Sequence, residues 1–129
     1  MDEIFARNVL YWGDEAQKII ASSHIAVFGL GGVGGFCAEA LARCGVGELT
    51  LVDFDKVSKS NINRQIIALN STVGMYKTEL FEIRLRDISP DIKLHLINDF
   101  YLEDFDFSGI NYTADAIDTM RSKVNLLVK

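Results

Sequence analysis

The run Gly29-Leu30-Gly31-Gly32-Val33-Gly34 constrains this chain more than any other feature of its sequence. It follows a short apolar run, Ile25-Ala26-Val27-Phe28, and precedes a stretch with helical apolar spacing. Strand, glycine loop and helix in that order bring unpaired backbone N–H groups and the positive end of a helix dipole to one point. Glycines let the main chain come close to an anion there. The feature predicts an α/β protein that binds a nucleotide. It leaves open which nucleotide, and what is done with it.

The rest of the chain alternates strand and helix. A short helix is expected over Asp14 to Ala21, after a turn at Gly13. Strands are expected at His24 to Phe28, Glu48 to Val52, Ile92 to Ile97 and Tyr112 to Ile117. Helices are expected at Val33 to Cys44, ended by Gly45 and Gly47, and at Tyr76 to Ile88, closed by Ser89-Pro90-Asp91. A short helix over Asn61 to Leu69 and another beginning at Met120 complete the pattern. Such alternation predicts a Rossmann-like parallel sheet with helices on both faces, strand order 3-2-1-4, and a ligand crevice where strands one and four diverge. The pattern stops inside its last helix without a capping signal, and four strands make a narrow sheet of this kind. Residues 1–129 are therefore expected to form one nucleotide-binding domain, the N-terminal part of a longer chain.

Composition narrows the classes. An apolar fraction of 49% is ordinary for a globular protein. The first residues show no basic segment followed by an apolar one, and no run approaches the roughly 20 apolar residues of a membrane span. A cytoplasmic protein without a membrane is expected. The net charge of −5 argues against a strong non-specific grip on nucleic acid, though it leaves room for a local basic patch. Cys37 and Cys44 lie seven apart in one expected helix, about 10 Å between Cα atoms, too far for a disulfide. Both fall on the stripe Val33, Phe36, Cys37, Ala40, Leu41, Cys44, which is expected to face the core. The two histidines, His24 and His95, sit beside strands with no Cys-x-x-Cys pair, so no zinc site is expected.

The residues that carry chemistry follow the strands. Asp53 closes the second strand about 20 positions beyond the glycine loop, where a carboxylate accepts hydrogen bonds from ribose hydroxyls. Dinucleotide and ATP sites share that feature. Asp55 is a second candidate, or a solvated loop carboxylate. The segment Ser60-Asn61-Ile62-Asn63-Arg64-Gln65 and then Lys77 place amides and two cations just past the strand. A dinucleotide enzyme needs few cations here. A triphosphate carries more charge and calls for an arginine–lysine clamp, so Arg64 and Lys77 favour ATP over two ordinary surface charges. Asp118 stands at the carboxyl end of the fourth strand. Near phosphates it is a candidate magnesium ligand, or a helix N-cap for the segment that follows. Asp115, within that strand, is expected to be structural.

Taken together, Gly29-x-Gly31-Gly32-x-Gly34, Asp53-Phe54-Asp55, Asn61-x-Asn63-Arg64-Gln65, Lys77 and Asp118 resemble the ATP-binding half of the ThiF/MoeB/HesA family, relatives of the ubiquitin-activating enzymes. The resemblance covers nearly the whole chain. Within the family, Asn61-Ile62-Asn63-Arg64-Gln65-Ile66 and Asp115-Ala116-Ile117-Asp118 look most like the tRNA threonylcarbamoyladenosine dehydratases. The resemblance implies ATP-dependent adenylation: a carboxylate attacks the α-phosphorus and expels pyrophosphate. By position, it implies that the glycines Gly29, Gly31, Gly32 and Gly34 floor the site and Asp53 holds ribose. Asn61, Arg64 and Lys77 would hold phosphates, and Asp118 would hold magnesium. Arg7, six residues before Gly13, resembles the family's N-terminal arginine, which reaches the neighbouring subunit's ATP in a homodimer. The implied partner is a modified tRNA, whose threonylcarbamoyl carboxylate would be activated and cyclised with loss of water. The alternative partner is a ubiquitin-like sulfur-carrier protein activated at its C-terminus. The family's later loop, its substrate-side cysteine and the zinc cysteines of some members would lie beyond Lys129. Two readings from other classes stay open: an NAD-dependent oxidoreductase and a non-enzymatic nucleotide-binding module.

Overall fold

The computed structural model describes residues 3–99 and 105–117. Its elements in chain order are α1 (Ala6–Ala21), β1 (His24–Phe28), α2 (Gly32–Cys44), β2 (Glu48–Val52), α3 (Lys77–Ile88), β3 (Lys93–Ile97) and β4 (Tyr112–Asp115), with short 3-10 turns at Glu3–Phe5 and Lys59–Asn61. The four strands form one sheet in the order β3-β2-β1-β4. Every pairing is parallel, with His24 opposite Glu48, Glu48 opposite Lys93, and Ile25 opposite Tyr112. The sheet order is the one the alternating pattern predicts.

Strand alternation sorts side chains onto two faces. Val27, Leu49 and Leu51, with Ile25, Leu94 and Leu96, pack against Ala38 and Ala42 of α2 and Leu80, Phe81 and Leu85 of α3. Ile20 of α1 joins the same cluster. Ala26, Phe28 and Val52 face the other way and meet Ile97, Phe105, Phe107 and Ile110. The Phe105 and Phe107 rings lie 5.0 and 5.9 Å from the Phe28 ring. The helix expected from Met120 lies outside the described residues.

Two local expectations need correction, and a third needs an addition. The helix over Asp14 to Ala21 does follow a turn at Gly13, at φ 84° and ψ 168°, and a further helical segment from Ala6 precedes that turn, so α1 is two segments joined at a kink. No helix forms over Asn61 to Leu69. The chain makes a 3-10 turn at Lys59–Asn61, capped by the Asn61 Oδ1 that accepts from the Ser58 N–H at 2.8 Å, and then a series of tight turns. The core face of α2 is not the expected stripe. Val33, Phe36 and Ala40 are exposed, and Cys37, Leu41 and Cys44 are half-buried. Its buried residues are Gly34, Gly35, Ala38 and Ala42. Small residues win that face because α2 lies so close to its neighbours: a Cβ on Gly35 would sit 2.9 Å from Phe81 Cζ. The helix ends as expected at Gly45, which takes φ 100° while the Val46 N–H returns to the Leu41 carbonyl.

Candidate nucleotide-binding site

The glycine loop lies at the carboxyl ends of the strands, between β2 and β4. The Gly29 N–H donates to the Val52 carbonyl at 2.8 Å, and a Cβ on Gly29 would meet the Ala116 carbonyl oxygen at 2.6 Å. Gly34, in the first turn of α2, packs onto the loop itself: a Cβ there would lie 1.6 Å from the Gly29 oxygen. The loop is thus folded tightly on its own helix, with the N-terminus of α2 at Gly31 and Gly32 beside it.

Asp53 fixes this geometry. It is buried, and its Oδ2 accepts from the Leu30 N–H at 2.7 Å while Oδ1 accepts from the Asp55 N–H at 2.7 Å. Burial pushes its carboxyl above the usual carboxylate range, opposed by those two N–H groups and by the Lys77 charge. The residue expected to bind ribose therefore also ties the glycine loop to the end of β2. One N–H on each oxygen leaves further acceptor capacity on the same carboxylate.

Lys77 opens α3 and is buried to 4% exposure, an unusual position for an ammonium. Its Nζ lies 3.9 Å from Asp55 Oδ2, and its N–H donates to the Asp55 carbonyl at 3.2 Å. Asp55 itself is exposed. Arg64 stands over the start of α2, its Cγ 3.8 Å from where a Gly32 Cβ would be. Its guanidinium folds back to donate to the Ser60 carbonyl at 2.9 Å and to Asn63 Oδ1 at 3.1 Å. Asn61 is buried, with its carboxamide oxygen committed to Ser58.

Gln65 was not singled out by its residue type, yet it belongs to this site. It is buried, its Nε2 lies 3.6 Å from where a Gly31 Cβ would be, and its Oε1 is buried with no hydrogen-bond partner among the described residues. The signal available in sequence was its place directly after Arg64. The structure thus gathers Gly29 to Gly34, Asp53, Asp55, Arg64, Gln65 and Lys77 at one end of the sheet. Asp118 lies outside the described residues; Asp115, three residues earlier, accepts from the Ile117 N–H as a structural residue does. Arg7 is exposed on α1 and is not brought to the loop. Asn8 and Gln17 of α1 bind carbonyls at the far end of α2, Arg43 and Cys44.

A family model for the ThiF family matches residues 5–128. The chain belongs to the ThiF family. It is 45% identical over 128 residues to the tRNA threonylcarbamoyladenosine dehydratase of Bacillus subtilis, covering 95% of this chain and 50% of that protein. A molybdopterin-synthase adenylyltransferase of Haemophilus influenzae is 40% identical over 96 residues, 74% of this chain and 38% of that protein. The crystal structure of the E. coli tRNA N6-threonylcarbamoyladenosine dehydratase in complex with ATP superposes with a TM-score of 0.92 at 39% identity, covering 96% of this chain and 53% of that one. This ThiF-family chain spans about half the length of the curated dehydratases it matches.

Proposed function

We propose that this chain forms the ATP-binding half of an enzyme that adenylates a carboxylate, the threonylcarbamoyl group of a modified tRNA adenosine, and then cyclises it with loss of water. The observation that carries the reading is Lys77. A cation buried beside a glycine loop and a helix N-terminus is matched to an anion with more charge than a pyrophosphate at a helix end. The similarity to a dehydratase solved with ATP supports the same reading.

In this reading the loop N–H groups and the N-terminus of α2 face phosphate. Asp53 receives a ribose hydroxyl while holding Leu30 in place. Arg64 exchanges its bonds to Ser60 and Asn63 for phosphate oxygens, Lys77 supplies a fixed charge, and Asn61 shapes the turn that carries Arg64. Gln65 Oε1 meets a donor at the glycine loop. The carboxylates available to a metal, Asp118 after β4 and Asp55 beside Lys77, are oxygen donors of the kind magnesium takes. Bound there, magnesium would neutralise charge on the phosphate chain as pyrophosphate leaves. The protein is read as a cytoplasmic homodimer in which Arg7 reaches the partner subunit's nucleotide.

Incubating the intact protein with ATP, magnesium and threonylcarbamoyladenosine-modified tRNA should release AMP only when the modified tRNA is present. A second reading, activation of a sulfur carrier, is favoured by the similarity to the molybdopterin-synthase adenylyltransferase. An adenylate formed on a carrier ending in Gly-Gly, with none on tRNA, would establish it instead. Calorimetry separates the remaining classes: NAD binding without ATP binding would overturn both readings, and ATP binding without any adenylation would leave a nucleotide-binding module.

A further inference from the structure

Sheet pairing assembles a second group of chemistry-bearing side chains, far from the glycine loop. His24 opens β1, Glu48 opens β2 directly opposite it, and His95 lies in β3 opposite Thr50. They share the face of Ala26 and Phe28, away from α2 and α3. His24 Nδ1 lies 3.6 Å from Glu48 Oε2, and His95 Nε2 lies 2.6 Å from the same oxygen. One donor atom from each residue falls within 4.8 Å of the others. The other ring nitrogen of His24, Nε2, is 2.6 Å from Thr50 Oγ1. With the proton on Nε2, donated to Thr50, the Nδ1 lone pair faces Glu48. Ring nitrogens that bind metals are oriented in this way by a hydrogen bond at the opposite nitrogen.

We propose that His24, Glu48 and His95 form a binding site for a divalent transition metal of the zinc class. Two imidazoles and one carboxylate are the donor set such ions take, and three protein ligands leave one position of a tetrahedron open. Donors about 2.0–2.1 Å from a tetrahedral metal lie roughly 3.3 Å from one another. The His24–Glu48 spacing of 3.6 Å is close to that. The His95–Glu48 spacing of 2.6 Å has to widen, and His95, an exposed ring, has the freedom to pivot. The three side chains line an open groove of about 710 Å³ whose wall also carries Asp99, Asp106 and Ser108. Lys93, paired with Glu48 in register, is a positive charge beside the cluster that opposes a cation. The site is at the amino ends of β1 and β2, the glycine loop at their carboxyl ends, about 13 Å away by strand rise. The sequence argues against zinc because it has no Cys-x-x-Cys pair and its two histidines sit beside separate strands; the sheet register is what brings residues 24, 48 and 95 together.

The test is metal binding by the intact protein after chelator treatment. Co²⁺ should give the visible absorption of a four- or five-coordinate nitrogen–oxygen site, saturating at one ion per chain. Zn²⁺ should displace it, and excess Mg²⁺ should not. Affinity for Zn²⁺, read against a chromophoric chelator, should fall about tenfold or more in Thr50→Val, the hydrogen-bond partner of a ligand, and at least as far in His95→Ala and in Glu48→Gln. His95 is exposed, so His95→Ala tests the site without disturbing the core, and circular dichroism checks the fold of each variant. Absence of saturable Co²⁺ or Zn²⁺ binding would overturn the proposal and leave an ion-paired cluster. Binding that is unchanged in both His95→Ala and Glu48→Gln would overturn it too.

Discussion

At Gly34 there is no space for a methyl group. A Cβ would lie 1.6 Å from the Gly29 oxygen and 2.7 Å from the Gly29 carbonyl carbon, both backbone atoms that cannot swing aside. Gly34→Ala should therefore lower stability by on the order of 3 kcal/mol, the upper end of overpacking costs, and abolish nucleotide binding. Gly31→Ala makes a useful contrast, since its nearest neighbour would be Gln65 Nε2 at an ordinary 3.6 Å. It should cost about 1 kcal/mol, the difference between glycine and alanine at an N-cap. Urea unfolding of the two variants side by side checks the geometry, and equal losses would contradict it. Asp53 gives a pH test. Burial raises its carboxyl in the folded state, so the folded chain holds that proton more tightly than the unfolded chain does. The stability this contributes is complete below the unfolded carboxylate range and is lost as pH rises through the folded value. Wild type should lose stability relative to Asp53→Asn as pH rises across that range; a pH-independent difference between the two would reject the assignment. Lys77→Met removes a buried charge and keeps most of the volume. The buried Asp53 carboxylate loses the cation that offsets its burial, so the urea midpoint should fall, while AMP formation drops about 10²–10³-fold, by analogy with the loss of other preorganised charge-stabilising groups. Unchanged turnover would take Lys77 out of the site. That these residues gather at one end of the sheet was legible in sequence because each residue type marks a local place: glycine a close approach, a carboxylate the strand end, a cation the segment just beyond it. Gln65 was harder to read, since its significance lies in a buried oxygen without a partner, which only packing reveals.

The link between α1 and α2 shows what patterning misses among elements. Gln17, buried in α1, accepts from the Trp12 indole N–H at 2.8 Å and donates to the Cys44 carbonyl at 3.1 Å. One side chain thereby closes the kink at Gly13 and satisfies a carbonyl at the end of α2, one of the groups a helix leaves unpaired. Gln17→Ala should cost about 1–3 kcal/mol, the penalty for orphaning buried polar groups. Trp12 is the single tryptophan, so its fluorescence reports the local change directly; an unaltered emission spectrum and midpoint would contradict the link. The segment from Ala6 to Trp12 carries no cap or stop that marks it as a helix locally, and it is held by its docking on α2 through Asn8. The four strands, α2 and α3 were legible to within a residue or two at most ends, since alternating runs and glycine or proline stops mark them locally. The face of α2 was not. Apolar spacing favours bulky residues, whereas the contact with the loop and with Phe81 requires Gly34 and Gly35. The His24, Glu48 and His95 group lay further out of reach, because register between three parallel strands is a property of the sheet and not of any one segment.

On the scale of the whole molecule, the position of Arg7 decides how many chains a working site needs. Arg7 is on α1, which is fastened to the C-terminal end of α2 through Asn8 and Gln17. The glycine loop is at the other end of that helix. Thirteen residues of helix separate the two, about 20 Å at 1.5 Å per residue, further than an arginine side chain extends. If Arg7 touches nucleotide, the nucleotide belongs to another subunit. On α1, Leu10 and Tyr11 are 85% and 88% exposed, an apolar surface of the kind that partners cover. A two-fold dimer would use both facts, since each subunit would lend its α1 to the other. Mixing settles the matter. Arg7→Ala and Lys77→Met should each be inactive in AMP formation when assayed alone. In a heterodimer of the two, the Arg7→Ala subunit keeps its own Lys77 and receives Arg7 from the Lys77→Met subunit, so one of its two sites is intact. Random exchange makes half of the dimers mixed, and activity should recover to about a quarter of wild type. Were Arg7 to serve its own chain, or the protein to act as a monomer, mixing would restore nothing, whereas full activity of Arg7→Ala alone would make Arg7 a surface charge on a docked helix.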